Sequence, residues 1–310
     1  MTRIPATEAR ARRLAPRRGL GPRRGAARRH PVGSRRGWRW TRRGAAAVLG
    51  LCFAVPFYWT VVISLSRPGE FASYPPVLLP HWHWANWSRA WAAAPWPRLF
   101  LNTLLVASCT VALCLLTSVL AGFAFGVLRF RGRRLLMLLT LSVLMMPATV
   151  LIIPDYVLAS DIRWIDTYWV QIVPWGASVF GIFLVRQFFL TMPQELLDAA
   201  ALDGAGRIRV LRYVGVPMAR PALVVIAINV FMASWNSFLW PEIMTRSGTG
   251  SSTVQPVEVG LASYAGTDGT DYSALAAAAA FTTLPVMVFF LVLQRQFIRG
   301  ALSAAGGLRG

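Results

Sequence analysis

Six apolar runs divide the chain, and short polar segments separate them. They cover residues 44–65, 101–128, 135–158, 169–190, 217–241 and 274–293. As a helix the first run would span roughly 33 Å, enough for a hydrocarbon core of about 30 Å. Inside lipid each backbone N–H and C=O needs a partner within the protein, and a helix supplies one locally. The pattern therefore predicts an all-α polytopic membrane protein with six transmembrane helices. Pro147, Pro154 and Asp155 interrupt the third run near its end. Arg186 lies near one end of the fourth, where its stem can snorkel to the interface. Arg220 lies near the start of the fifth.

Composition agrees with this reading. Of 310 residues, 55% are hydrophobic and 14% charged, whereas soluble domains carry about 25% charged residues. The net charge of +20 is concentrated in residues 1–43, which hold fifteen Arg and one acid, Glu8. That segment cannot bury enough surface to offset its ordering entropy, so it is expected to be a disordered tail. Beside a membrane helix, such a tail reads as a topology signal or a lipid-headgroup contact, and no nucleic-acid partner is expected.

Basic residues also mark the segments on one side of the membrane. Arg129, Arg131, Arg133 and Arg134 follow the second run. Arg207, Arg209 and Arg212 follow the fourth, and Arg295, Arg299 and Arg309 follow the sixth. The opposite loops are richer in acids: Glu70, Asp161, Asp166, Glu242, Glu258, Asp268 and Asp271. The positive-inside rule then places both termini in the cytoplasm.

Several chemistries are excluded. Every basic residue is Arg, so the chain has no Lys for a phosphate-binding P-loop and no route of its own to ATP hydrolysis by that means. Cys52, Cys109 and Cys114 sit in apolar runs and read as buried small hydrophobes. His81 and His83 have i, i+2 spacing, but no third ligand stands near enough in sequence to suggest a metal site. Trp82, Trp84, Trp87, Trp91 and Trp96 cluster in the first external loop and read as a short interfacial helix. A sugar-stacking platform is the sharper alternative.

The most informative segment is 191–217, between the fourth and fifth runs. Thr191 and Gln194 have capping-box spacing, and Pro193 suits a first helical turn. Glu195 and Asp198 would lie near the positive end of the helix dipole. Ala199, Ala200 and Ala201 are strong helix formers of little bulk. Gly204 is a stop residue. A projecting helix over about Thr191 to Asp203 is predicted, with a second short helix from near Gly206. Small side chains would let another surface approach closely.

This segment resembles the cytoplasmic loop of ABC importer permeases, whose pattern is E-A-A, three residues, G, nine residues, I-x-L-P. Asp198-Ala199-Ala200, Gly204, Val214, Val216 and Pro217 keep that spacing, with Asp for Glu and Val for Ile and Leu. Asn102-Thr103-Leu104 opens the second run as in these permeases, and Ile165-Asp166-Thr167-Tyr168-Trp169, Val185-Arg186-Gln187, Trp235-Asn236 and Arg295-Gln296-Phe297 are similar to the carbohydrate branch of that family. The resemblance covers roughly residues 50–300. It implies a type I importer permease fold over 44–300, with a coupling helix and a short tail over 301–310. It also implies a sugar substrate, a second permease, two ATPase subunits that hold ATP and Mg, and an extracellular solute-binding protein. Glu195, Asp198, Ala199, Ala200, Asp203, Gly204 and Pro217 would then contact an ATPase. Related branches move polyols and glycerol phosphates.

Polar groups inside membranes are expensive and become candidates for the solute path. Asn236, flanked by Trp235 and Trp240, combines an amide with aromatic faces. The alternative is an interhelical hydrogen bond. Asp155 would line the external mouth or reach interface water. A secondary transporter would explain six spans, but not the 191–217 segment.

Overall fold

The computed structural model describes residues 35–75, 78–245, 253–262, 264–266 and 269–306. The first 34 residues of the Arg-rich tail lie outside them, as do residues 307–310. Helix α1 (Arg35–Ser64) begins ahead of Gly44, so the last part of the expected disordered tail is helical. Two units divide the chain, Met1–Ala54 and Val55–Gly310. In the first, Val48, Leu49, Leu51 and Phe53 are exposed apolar side chains. Such a face suits lipid, not water.

The second unit holds the remaining elements. They are α2 (Ala85–Ala92), α3 (Trp96–Gly126), α4 (Arg133–Ser142), α5 (Ile152–Asp161), α6 (Tyr168–Ile172) and α7 (Val179–Leu190). There follow α8 (Gln194–Leu202), α9 (Arg207–Val210), α10 (Val216–Trp235), α11 (Leu239–Met244), α12 (Val257–Ala262) and α13 (Tyr272–Gly306). A small antiparallel hairpin pairs β1 (Ala265–Gly266) with β2 (Gly269–Thr270). The expected C-terminal tail from 301 is helical through Gly306, because α13 does not stop where its apolar run ends.

Among the described residues, four helical stretches are long and apolar enough to cross a membrane: Thr41–Ser64, Trp96–Gly126, Arg207–Trp235 and Tyr272–Leu291. The third and fourth apolar runs are not single straight helices. The third bends by 89° between Arg133–Met145 and Ala148–Asp161. Pro147 sits at this break, with Met146 ahead of it in extended conformation, as the proline ring demands. The fourth splits into α6 and α7 at Pro174 and Gly176, and α7 has only 12 residues. Ser178 starts α7 afresh by accepting a hydrogen bond from Gly181 N at 3.1 Å. The fifth run ends as a helix at Trp235, and Trp240 belongs to the short α11.

Small residues set how closely α3 meets α7. A β-carbon on Gly122 would stand 2.8 Å from Val185 Cβ and 3.2 Å from Arg186 N. One on Gly126 would stand 2.7 Å from Phe189 Cβ, and one on Gly181 would collide with Ser118 Oγ. Ser118, Gly122 and Gly126 recur every four residues, which forms one face of α3. This is the small-residue packing that lets membrane helices touch without a hydrophobic driving force. Arg186 does not reach for the interface. Its Nε donates to Phe125 O at 3.2 Å, in the last turn of α3.

A polar clamp fixes the loop over 253–257. Asn102 Nδ2 donates to Thr253 O at 3.0 Å and to Gln255 O at 2.8 Å, and its Oδ1 accepts from Tyr168 OH at 2.7 Å. Gln171 Nε2 donates to Val254 O at 2.9 Å. Thr103 Oγ1 accepts from Val257 N at 2.8 Å. Three successive carbonyls thus receive side-chain donors, and the backbone can leave regular structure without an unsatisfied group. Burial in this region also lifts the Glu258 carboxyl above the usual carboxylate range.

The tryptophan cluster divides. Trp82, Trp84 and Trp91 are exposed at the surface around α2, while Trp96 is fully buried. Trp96 Nε1 donates to Ala90 O at 2.8 Å, and its ring meets Phe281 edge-on at 4.8 Å. It is a packing residue, not part of an interfacial face. His81 pairs with Glu70 at 3.0 Å, and His83 faces Asn86 at 3.3 Å, so the two rings serve different partners.

Replacing Asn102 by Leu strands its buried partners in the clamp. A loss of about 3 kcal/mol is expected, read as a lower Tm of the detergent-solubilised protein, with helix content unchanged by circular dichroism.

Candidate functional site

Helix α7 runs straight into the 191–217 segment, so its seat on α3 positions everything that follows. Thr191 ends α7: its Oγ1 donates to Phe188 O at 2.8 Å. It therefore does not cap the next helix, and the capping box that its spacing suggested does not form. Helix α8 starts at Gln194 and stops at Leu202, shorter than the expected Thr191 to Asp203. Gln194 Nε2 turns forward to Asp198 Oδ1 at 3.3 Å.

The end of α8 follows from Gly204. Its φ of 69° lies in the left-handed region, which an L side chain enters only at a cost. That turn lets Ala205 N reach back to Ala200 O at 2.9 Å, while Asp203 N bonds Ala199 O at 3.0 Å. The long reach from Ala205 to Ala200 is the signature of a Schellman ending. Ala200 and Ala205 both pack on the buried cluster that contains Phe123, Phe189, Val210 and Leu211. A β-carbon at Gly204 would meet nothing within 4 Å, so its requirement is conformational alone.

A second turn begins with α9 and passes into a π-helical turn over Leu211–Gly215 before α10. Gly215 lies where a β-carbon would stand 3.0 Å from Phe189 Cε1. The widened turn therefore seats the start of α10 against the end of α7. Pro217 follows at the start of α10, where a missing N–H breaks no helical bond.

The exposed side of this segment is chemically mixed. Glu195, Asp198, Ala199 and Asp203 are exposed on and just after α8, and Arg207, Arg209 and Arg212 on the next turn. None of these acids and arginines forms an ion pair among the described residues. Between them stand apolar side chains: Leu202 is 90% exposed, Ile208 81% and Tyr213 68%. Large apolar groups thus stand out beside charges that form no ion pair among the described residues. The sequence reading found the charges and small residues but missed these three. Their only signal was an apolar residue at each edge of an otherwise polar stretch.

The residues named for a solute path do not come together. Asn236 is exposed, and its Nδ2 donates to Met232 O at 2.8 Å, which caps α10 from within. Trp235 is buried between Phe231 and Phe100. Asp155 is half-buried in the first turn of α5. Only Trp240 of the four lines the cavity of about 320 Å³ that opens between α3, the α6–α7 turn, α10 and α11. Its Nε1 donates to Val170 O at 3.0 Å, and its ring meets Trp175 edge-on at 5.4 Å. Thr110, Gln171, Ser178 and Ser234 supply polar lining. These sit singly in apolar runs, where helical periodicity cannot say which of them face one another.

Residues 118–302 match the family model described as the binding-protein-dependent transport system inner membrane component. The chain is 33% identical over 211 residues to an arabinooligosaccharides transport system permease protein of Bacillus subtilis, covering 68% of this chain and 73% of that one. It is 32% identical to a diacetylchitobiose uptake system permease protein of Streptomyces coelicolor, over 80% of this chain and 82% of the relative. It is 30% identical to an sn-glycerol-3-phosphate transport system permease protein of Yersinia pestis, over 82% and 92%. The fold matches a bacterial ABC transporter involved in the import of the acidic polysaccharide alginate. That match has a TM-score of 0.72 at 21% identity and covers 86% of this chain and 98% of that one.

Gly204→Val should cost about 1–2 kcal/mol locally, because the left-handed turn is lost. Hydrogen exchange by mass spectrometry should then show faster exchange across peptides 199–205, with the α3–α7 amides still protected.

Proposed function

Since this chain belongs to the family of binding-protein-dependent transport system inner membrane components, we propose that it is the membrane-spanning subunit of an ATP-driven importer for a sugar. The observation that carries this reading is the 191–217 segment. A rigid seat on α7 and α10 presents a short helix whose outer side offers unpaired charges and uncovered Leu202, Ile208 and Tyr213. In this reading α8 docks in a groove of an ATPase subunit, as short helices commonly dock. Closure of the ATPases pulls α8, and α7 and α10 transmit the movement to the membrane-spanning helices.

Glu195, Asp198 and Asp203 offer charge-assisted hydrogen bonds to that partner. Ala199 and Ala200 allow close approach, Gly204 sets the turn, and Pro217 starts the return into the membrane. The full machine holds a second permease, two ATPase subunits with ATP and Mg, and a solute-binding protein. The transmembrane permease domain is residues 44–300. The distribution of Arg supports cytoplasmic termini, with the N-terminal tail against anionic lipid headgroups. The relatives named for arabinooligosaccharides and diacetylchitobiose support a sugar as cargo. The relative named for glycerol 3-phosphate supports a second reading, import of a phosphorylated polyol.

Two outcomes test this. Gly204→Val should insert normally and still bind its partner permease, but ATP-driven sugar uptake in proteoliposomes should fall by about tenfold or more, as expected when a coupling free energy of 1–3 kcal/mol is lost. Normal uptake by that variant would remove the coupling role. Separately, a cysteine at Leu202, in a chain otherwise free of cysteine, should react with a membrane-impermeant maleimide only in inside-out vesicles. Reaction in right-side-out cells would reverse the topology and end this reading.

A further inference from the structure

The 194–213 stretch divides its charges by sign. Glu195, Asp198 and Asp203 all precede the Gly204 turn, and Arg207, Arg209 and Arg212 all follow it. All six are exposed, and none forms an ion pair among the described residues. The basic half faces outward because its other side is in use. Val210, Leu211, Gly215 and Ala219 are buried, which leaves Ile208, Arg209, Arg212 and Tyr213 on the uncovered side.

These arginines border an open recess. Gly204 and Gly206 line it together with Arg207, Arg209, Arg212 and Tyr213. A β-carbon on either glycine would meet nothing within 4 Å, so the backbone there is open to approach. The central carbon of the Arg212 guanidinium stands 5.7 Å from the centre of the Tyr213 ring. That cation–π contact steadies one side of the recess.

Two kinds of surface carry the negative charge that such a recess fits: an anionic bilayer and an acidic patch of protein. The bilayer attracts each arginine but repels each acid of the same segment, and there are three of each. A protein that carries both signs matches both halves. Leu202, Ile208 and Tyr213, large and uncovered, favour the protein again, since aromatic residues and Arg are enriched where proteins meet. An arginine fork pairs best with a planar carboxylate, through two parallel hydrogen bonds.

We propose that the Arg207–Arg212 turn is a second docking contact for the ATPase subunit, and that the partner sets Asp or Glu carboxylates in the recess between Gly204 and Tyr213. This rests on the reading of α8 as the ATPase-docking helix and extends the footprint past that helix. The order of the charges also fixes direction. Seated the other way round, the segment would set like charges against like.

The lack of Lys in this chain makes the contact testable. The assembled transporter is used in nanodiscs, this chain with its partner permease and ATPase subunits. Arg209→Lys and Arg212→Lys each place a single side-chain amine at the recess. A zero-length carbodiimide should join that amine to an Asp or Glu of the ATPase, read by mass spectrometry of the linked peptides. A link only to this chain or to the other permease, or no link, overturns the contact.

A second arm titrates ATPase subunits onto discs that hold the two permeases. Arg209→Glu with Arg212→Glu should weaken binding about tenfold or more, equally in phosphatidylcholine and in discs with added phosphatidylglycerol. Retention of the partner permease shows that this variant is folded. An effect confined to the phosphatidylglycerol discs assigns the turn to lipid, and unchanged binding leaves it without a role in docking; either result overturns the proposal. Glu195→Arg with Asp198→Arg separates the two ideas. If that pair releases the ATPase and the arginine pair does not, docking at α8 stands and the second contact falls. If neither releases it, docking at this segment falls altogether.

Discussion

The approach of α3 to α7 across Ser118, Gly122 and Gly126 is the contact on which the rest of the molecule depends. With 12 residues, α7 is too short to be placed by spanning the membrane on its own. Its position comes instead from backbone-close packing, in which Val185 and Phe189 occupy the space that side chains on α3 would fill. Interiors packed this closely transmit displacement and do not absorb it. The end of α7 is also the start of the 191–217 segment, so the geometry of that segment is inherited from the glycine face of α3.

One buried cluster ties the 191–217 segment to α3, α7 and α10. Phe189 at the end of α7 meets Phe123 edge-on at 5.6 Å. Val210, Leu211 and Met192 join them, with Leu197 and Ala200 of α8, and Ala205 beyond its end, at the margin. One side of α8 is therefore anchored, while Leu202, Glu195 and Asp198 face outward. Packed in this way, α8 is held against α7 and α10. The π-helical turn before α10 adds a local irregularity at the junction, a feature often found at functional positions.

At the other end of α3 the packing changes character. The Asn102 clamp replaces close backbone contact with hydrogen bonds to a loop that lacks regular structure of its own. The cavity lies beside this clamp, and Gln171 belongs to both: one end of its amide holds the loop, and the other is left without a partner in the protein. The two ends of α3 therefore differ: one packs backbone against backbone, and the other is held by hydrogen bonds beside a cavity.

The apolar runs alone specified a helical membrane protein, because lipid offers the backbone no partners. The residues from Gln194 to Gly204 specified a short helix ended by a left-handed turn, because such a turn has few residue solutions. The breaks in the third and fourth runs were partly legible in Pro147 and Pro174, but not their angles, which depend on what packs against each half. Thr191 was misassigned because a side-chain hydroxyl can serve the helix before it as well as the one after. Asn236 and Trp235 pointed to a solute path by residue type; in the fold Asn236 bonds the carbonyl one turn back, and Trp235 packs against Phe231 and Phe100. Which polar residues share a cavity could be decided only once distant helices met, since Thr110, Gln171 and Ser234 stand far apart in the chain and a one-dimensional pattern carries no record of which faces turn toward each other.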